Sequence, residues 1–212
     1  MTDNRRSAYA RYYARILALS YYCAYCGVTE ATTLDHYFPK DAKNRRRAYP
    51  EFSILPANLV PSCTRCNPSR DFRDEGGRRA LIHPYFDEVH QERLLIADVT
   101  IKDGMPSVEF RVDLGECTAR RFGELYERHV QLLDLLSRYR TRALVAEDGL
   151  FEIVRTVRVW AKGRSQAEVA ERIRDEASEL ERTLGANHFK VALRHGAAAS
   201  KAFIDFCLEG TP

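Results

Sequence analysis

Four of the six cysteines fall in two C-x-x-C pairs, Cys23/Cys26 (Cys-Ala-Tyr-Cys) and Cys63/Cys66 (Cys-Thr-Arg-Cys), and this spacing is the clearest chemical signal in the chain. One such pair supplies two thiolates to one edge of a tetrahedron. Two pairs complete the shell of a borderline-soft, four-coordinate ion such as Zn2+. A redox role for one pair would leave the second copy without a purpose. Cys117 and Cys207 stand apart in apolar-periodic surroundings and read as small buried hydrophobes. The 36 residues between Cys26 and Cys63 exceed the roughly 15–20 of a simple zinc ribbon, so an element is inserted between the knuckles. That stretch carries further polar groups of interest, Asp35-His36 and Asn58, and Asn67 follows the second knuckle directly.

The elements that must position these groups can be read locally. Thr32-Thr33-Leu34-Asp35-His36-Tyr37-Phe38 is β-branched and aromatic, which predicts a strand ending at Pro39. Pro56-Ala57-Asn58-Leu59-Val60-Pro61 predicts a short strand or loop returning to the second knuckle. Ser62 can cap a short helix running through Cys66-Asn67 and onward, with Pro68 confined to its first turn. The expected order is strand, loop, strand, helix, with the knuckles fastening both ends.

The order C-x-x-C, Leu-Asp-His-x-x-Pro, Asn-Leu-Val-x-x-Cys-x-x-Cys-Asn over about residues 20–75 resembles the HNH endonucleases. The resemblance implies a ββα-metal fold in which His36 is the general base, Asn58 orients it and Asn67 is the third signature residue. Two positions depart from the family pattern. Asp-Ala-Lys-Asn-Arg-Arg-Arg replaces the Gly-Gly often found after the Pro, and Arg70 stands where Lys is common. Chemistry supports the same division of labour, because phosphodiester hydrolysis needs an activated water and a charge clamp on the phosphate. Neighbours on a strand point to opposite faces, so Asp35 and His36 cannot form one dyad. Carboxylate to metal and imidazole to water is the consistent assignment. Asp35 and the Asn67 amide oxygen are then expected ligands of a hard cation, Mg2+ or Mn2+, separate from the structural zinc. The competing reading is a zinc-stabilised nucleic-acid- or protein-binding module with a degenerate nuclease site.

Composition agrees with a folded α+β protein. The 212 residues are 45% hydrophobic and 30% charged, which excludes collagen-like and wholly disordered chains. No run approaches the roughly 20 apolar residues of a membrane helix. The N-terminal stretch through Tyr22 breaks its apolar run with Tyr, Arg and Ser, as expected of a cytoplasmic protein without a signal peptide. The expected organisation is an N-terminal helix over 1–22 with a tyrosine stripe, a zinc-bearing HNH core over 23–82, a connecting β-hairpin over 83–116 and a helical domain over 117–212. Asp103-Gly104 marks the hairpin turn. Four helices are expected: one from about 118, one over about 140–161, one from the Ser165-x-x-Glu168 capping box to Gly185, and one over about 187–208. Among the histidines outside the motif, His83 reads as structural, and His90, His129, His188 and His195 carry no legible signal. Small HNH proteins with an added helical region also resemble nucleases of bacterial restriction and anti-phage systems, some of which work with an ATPase partner.

The net charge is only +3, but residues 36–79 alone carry an excess of five positive charges. Lys40, Lys43, Arg45, Arg46, Arg47, Arg65, Arg70 and Arg73 therefore make a candidate phosphate-contacting set for double-stranded DNA. Replacing Arg45, Arg46 and Arg47 together by Ala is expected to weaken binding of every duplex sequence about equally. It should also shallow the log–log salt dependence by roughly 0.9 per lost contact. Titration onto labelled duplex at several salt concentrations in a His36→Ala background measures both, and an unchanged slope would remove these arginines from the interface.

Overall fold

In the computed structural model the described residues are 3–41, 48–67, 73, 76–87, 92–115, 120–145 and 149–209. The chain divides into two units: residues 1–87 with 128–133, and residues 88–127 with 134–212. The architecture is mixed α+β, and the described residues form two separate two-stranded antiparallel sheets. No helix among the described residues is long and apolar enough to cross a membrane.

The first unit opens with helix α1 (Asp3–Leu17), followed by the first cysteine knuckle and strand β1 (Thr33–His36). Short 3-10 turns at Pro50–Phe52 and Pro56–Asn58 lead into strand β2 (Leu59–Ser62). The two strands pair antiparallel with Thr33 opposite Ser62 and His36 opposite Leu59. All four residues of β2 are buried, as is Leu34 on β1. Ile16 of α1 packs on Leu34 and Leu59, joined by Tyr12, Tyr13 and Leu17. The tyrosine stripe thus faces this sheet. The Tyr13 hydroxyl accepts the Leu34 N–H (2.7 Å), and the Tyr12 hydroxyl donates to the Ile54 carbonyl (2.9 Å).

Strand β1 is shorter than the sequence suggests. Beyond His36 the ladder gives way to Asn58, whose backbone carbonyl takes the Tyr37 N–H and whose side chain takes over Phe38. At the second knuckle the Cys66 and Asn67 N–H groups return to the Cys63 carbonyl, which forms a tight turn. The helix expected to be capped by Ser62 and to run through Cys66-Asn67 is not formed there: Ser62 ends β2 and the residues after Cys63 make only this turn, while its onward stretch over 68–72 lies outside the described residues.

The second unit contains the hairpin β3 (Leu95–Lys102) and β4 (Met105–Val112), turning at Asp103-Gly104, both with positive φ. Alternate residues are buried, including Leu95, Ala97, Val99, Val108 and Phe110, so one face of the hairpin is apolar. Helix α2 (Arg120–Leu132) has residues 120–127 in this unit and 128–132 in the first, and α3 (Leu135–Val145), α4 (Leu150–Trp160), α5 (Gln166–Leu184), α6 (Phe189–Ala199) and α7 (Lys201–Glu209) follow. Within this unit α6 covers β3 and pairs with α5, and α3 lies on β4.

Among the described residues six helices stand where four were expected. The stretch expected to be one helix over 140–161 comprises the end of α3 and the whole of α4. Asp134, at φ 49°, separates α2 from α3. Gly149 caps α4 so close to the Ala143 carbonyl that a Cβ there would lie 2.2 Å from the oxygen. The last expected helix breaks at Ser200, whose extended backbone (φ −89°, ψ 101°) separates α6 from α7. By contrast α5 keeps the boundaries its caps dictate: Ser165 and Glu168 form the reciprocal capping box, and Gly185 follows at φ 85°.

At Gly196 helix α6 comes very close to β3, since a Cβ there would sit 2.1 Å from the Ala97 carbonyl oxygen. Alanine normally gains roughly 0.5–1 kcal/mol over glycine inside a helix. Here the clash is with backbone and dominates, so Gly196→Ala is expected to destabilise the protein by about 1–3 kcal/mol, read by urea denaturation.

Candidate functional site

The two knuckles meet. The sulfurs of Cys23, Cys26, Cys63 and Cys66 all lie within 4.8 Å of one another, and all four residues are buried. A tetrahedron with Zn–S bonds of about 2.3 Å has edges of about 3.8 Å, so this donor set fits a zinc ion with little adjustment. The backbone holds the knuckles in place: the Cys23 N–H donates to Thr29, Ala24 to Pro61 and Gly27 to Cys23. Hydrogen bonding with Cys23 above all lowers the Cys26 thiol to about 6 and draws Cys63 well down. Cys23 rises in return, chiefly through its hydrogen bond with Cys26. Cys66 is raised as well, so the four thiols share their protons unevenly, and a bound metal would require all four as thiolate. Cys207, by contrast, is buried away from this cluster in the second unit, and burial pushes its thiol up to about 12. Cys117 lies outside the described residues.

Strand β1 presents Asp35 and His36 differently. Asp35 is buried, and its Oδ2 accepts the hydroxyl of Tyr25 at 3.0 Å. Tyr25 lies inside the first knuckle. Burial first, and the Asp35 charge second, hold its phenol far above the usual range, so it remains a donor. His36 is half-buried, with its Nε2 3.0 Å from the Ser53 carbonyl oxygen. A carbonyl can only accept, so Nε2 carries a proton, and whenever the ring is neutral its lone pair is on Nδ1.

Asn58 is almost fully buried and spends its amide on the loop that follows β1. Its Oδ1 accepts the Phe38 N–H at 2.6 Å, and its Nδ2 donates to the Phe38 and Phe52 carbonyls at 3.0 Å each. Phe52 neighbours Ser53, so the same amide braces the segment that orients His36. Asn67 reaches back to β1, its Nδ2 donating to Thr33 Oγ1 (2.7 Å) and toward the Leu34 carbonyl (3.4 Å). The Thr33 hydroxyl proton goes to the Ser62 carbonyl, which makes Oγ1 the acceptor and fixes the amide's orientation. The amide therefore turns its Nδ2 toward the strand residues that precede Asp35, and Oδ1 is its acceptor end. Asp35 and Asn67 are both hard oxygen donors of the kind Mg2+ or Mn2+ takes.

Of the basic set, Lys40, Arg65 and Arg73 are exposed, and Arg73 donates to the Gly77 carbonyl. Lys43, Arg45, Arg46, Arg47 and Arg70 lie outside the described residues. His83 is buried and packs against Tyr37 (ring centroids 4.2 Å) and Phe86 (4.6 Å), and burial above all lowers its pKa.

Four contributors were not legible in the sequence: Tyr25, Ser53, Thr33 and His129. His129 is buried; its Nδ1 accepts the Ile82 N–H, so Nε2 donates to the Tyr25 carbonyl at 2.9 Å. The one available signal was Tyr25 itself, an aromatic placed between two metal-type ligands.

No family model and no solved structure matches the chain. Among curated proteins it is similar to protein ea31 of Escherichia phage lambda, with 31% identity over 153 residues. The match covers 68% of this chain and 48% of the phage protein, so the chain spans about half the length of that relative.

The four-thiol cluster generates a direct expectation. The purified protein should carry one zinc per chain, and Cys63→Ser should give unfolded or aggregated material, because site-bound zinc contributes directly to folding free energy. Metal analysis together with circular dichroism checks both. A folded, zinc-free wild type would remove the metal from the fold.

Proposed function

We propose that this chain is a divalent-metal-dependent HNH endonuclease that hydrolyses phosphodiester bonds in double-stranded DNA. The observation that carries the reading is the fixed tautomer of His36. Its Nε2 proton is committed to the Ser53 carbonyl, which makes Nδ1 the basic nitrogen of a half-buried ring. A neutral, oriented imidazole is what a general base needs near pH 7. The second support is order along the chain, with Asp35-His36 on the first strand, Asn58 at the entrance to the second and Asn67 just past the second knuckle.

In this reading His36 Nδ1 removes a proton from the attacking water. Asn58 acts through the loop, holding Phe38 and Phe52 on either side of the histidine's support. Asp35 and Asn67 would hold Mg2+ or Mn2+, which when bound neutralises charge on the phosphate oxygens. Lys40, Arg65 and Arg73, with Lys43, Arg45, Arg46, Arg47 and Arg70, contact the DNA backbone. The four-thiol cluster holds a structural zinc that takes no part in the chemistry. The setting is cytoplasmic restriction or anti-phage defence, alone or beside an ATPase partner.

His36→Ala is expected to slow nicking of supercoiled plasmid by roughly 10²–10⁴-fold in Mg2+ or Mn2+, with zinc content and melting temperature unchanged. EDTA should abolish cleavage by the wild type. A variant that cuts at the wild-type rate, or a wild type inert with both ions, would overturn the assignment.

A further inference from the structure

The first knuckle does more than supply two sulfurs. Between them in sequence, Tyr25 is buried and reaches ten positions along the chain to donate its hydroxyl to Asp35 Oδ2. Its backbone is fixed independently. The carbonyl of Tyr25 accepts His129 Nε2–H, and the preceding residue, Ala24, donates its N–H to Pro61 of β2. The His129 ring also lies beside the Tyr25 ring, with centroids 6.4 Å apart.

We propose that Tyr25 is a positioning residue that ties the four-cysteine cluster to the cation-binding carboxylate of Asp35. This rests on the reading of Asp35 as a divalent-cation ligand. Filling a core needs only the tyrosine ring, and phenylalanine would do that equally well. The hydroxyl instead goes to a carboxylate on the strand that carries His36. One Asp35 oxygen is thereby held by a neutral donor, which fixes the carboxylate's rotation and selects the lone pairs left to meet a cation. Hydrogen-bond partners behind a metal ligand commonly change metal affinity by about 10–100-fold when removed. The tyrosine sits two residues after Cys23 and one before Cys26, so the order that zinc imposes on the knuckle passes to the second cation through one side chain.

The test uses the full zinc-loaded chain and Mn2+ as the probe, with binding followed by electron paramagnetic resonance and, separately, by the Mn2+ concentration that half-saturates plasmid nicking. Tyr25→Phe is expected to keep one zinc and the wild-type fold while weakening Mn2+ binding by about 10–100-fold. The half-saturating Mn2+ concentration should rise in step, and the nicking rate at saturating Mn2+ should stay within a few-fold of wild type. Asp35→Asn should abolish the binding, and adding Tyr25→Phe to it should change Mn2+ binding no further. Replacing Tyr25 by 4-aminophenylalanine, which keeps an N–H donor at the same place, should restore affinity to near the wild-type value. This second variant decides the matter if the Phe variant loses zinc. Unchanged Mn2+ affinity in folded Tyr25→Phe, an aniline variant that is folded and as weak as Asp35→Asn, or Mn2+ binding that survives Asp35→Asn would each overturn the proposal. A wild type that binds Mn2+ through Asp35 and Tyr25 but never cuts DNA would sink the nuclease reading and leave this one standing.

Discussion

Bringing Cys23 and Cys26 against Cys63 and Cys66 is the constraint on which the first unit depends. The entropy of closing a long loop rises only slowly with its length, so the insertion between the knuckles adds little to the cost of joining them. Against that cost stands what a metal held by such a cluster would contribute, about 10–16 kcal/mol in small zinc-dependent domains. The apolar cluster formed by Ile16, Leu34 and Leu59, with two tyrosines and Leu17 around it, is thin by comparison. Once the sulfurs are together, the rest follows in sequence. Ser62, one residue before Cys63, pairs with Thr33, and Asn67, one residue after Cys66, reaches the same threonine. The sheet, the half-buried histidine and both asparagines are thus arranged from its closed end.

The second unit is held by ordinary burial. Phe189, Leu193, Ile173 and Phe203 are fully enclosed, and α6 lies so close on β3 that only glycine fits at position 196. Its main polar fastening is Asn187. The Oδ1 of that side chain accepts the N–H groups of Leu94 and Leu95, and its Nδ2 donates to the Glu92 carbonyl. These backbone groups lie at the entrance to the hairpin, and leaving them unpaired would cost roughly 1–3 kcal/mol each. The two halves of the molecule solve the problem of stability by different physics.

What the sequence discloses follows from how local each interaction is. The knuckles, the Ser165 capping box and the Asp103-Gly104 turn are each written within about four residues, and the structure has them where they were expected. The interruptions at Asp134, Gly149 and Ser200 carry no proline and do not disturb the apolar periodicity, so a single long helix reads as well as two short ones. Packing decides instead, as at Gly149 under the Ala143 carbonyl. The candidate site shows the same division. Asp35, His36, Asn58 and Asn67 stand out by type and order. Their supports do not, because Tyr25–Asp35, His36–Ser53 and His129–Tyr25 span 10, 17 and 104 residues with no periodic signature.

Helix α1 has a consequence for solubility. A sheet of two short strands has two open edges, and an open edge is a template on which another chain can add a strand. On β1 the Leu34 N–H, which faces away from β2, is satisfied by the Tyr13 hydroxyl rather than by water. The side chains of Ile16 and Leu17 pack around it. The tyrosine thus acts as a chain terminator for hydrogen bonding: it uses up the edge donor that an incoming strand would need first. Removing the helix would expose a β-branched, aromatic segment with an unpaired amide, which is the chemistry of self-association. The N-terminal helix therefore covers this edge of the sheet as well as completing its core.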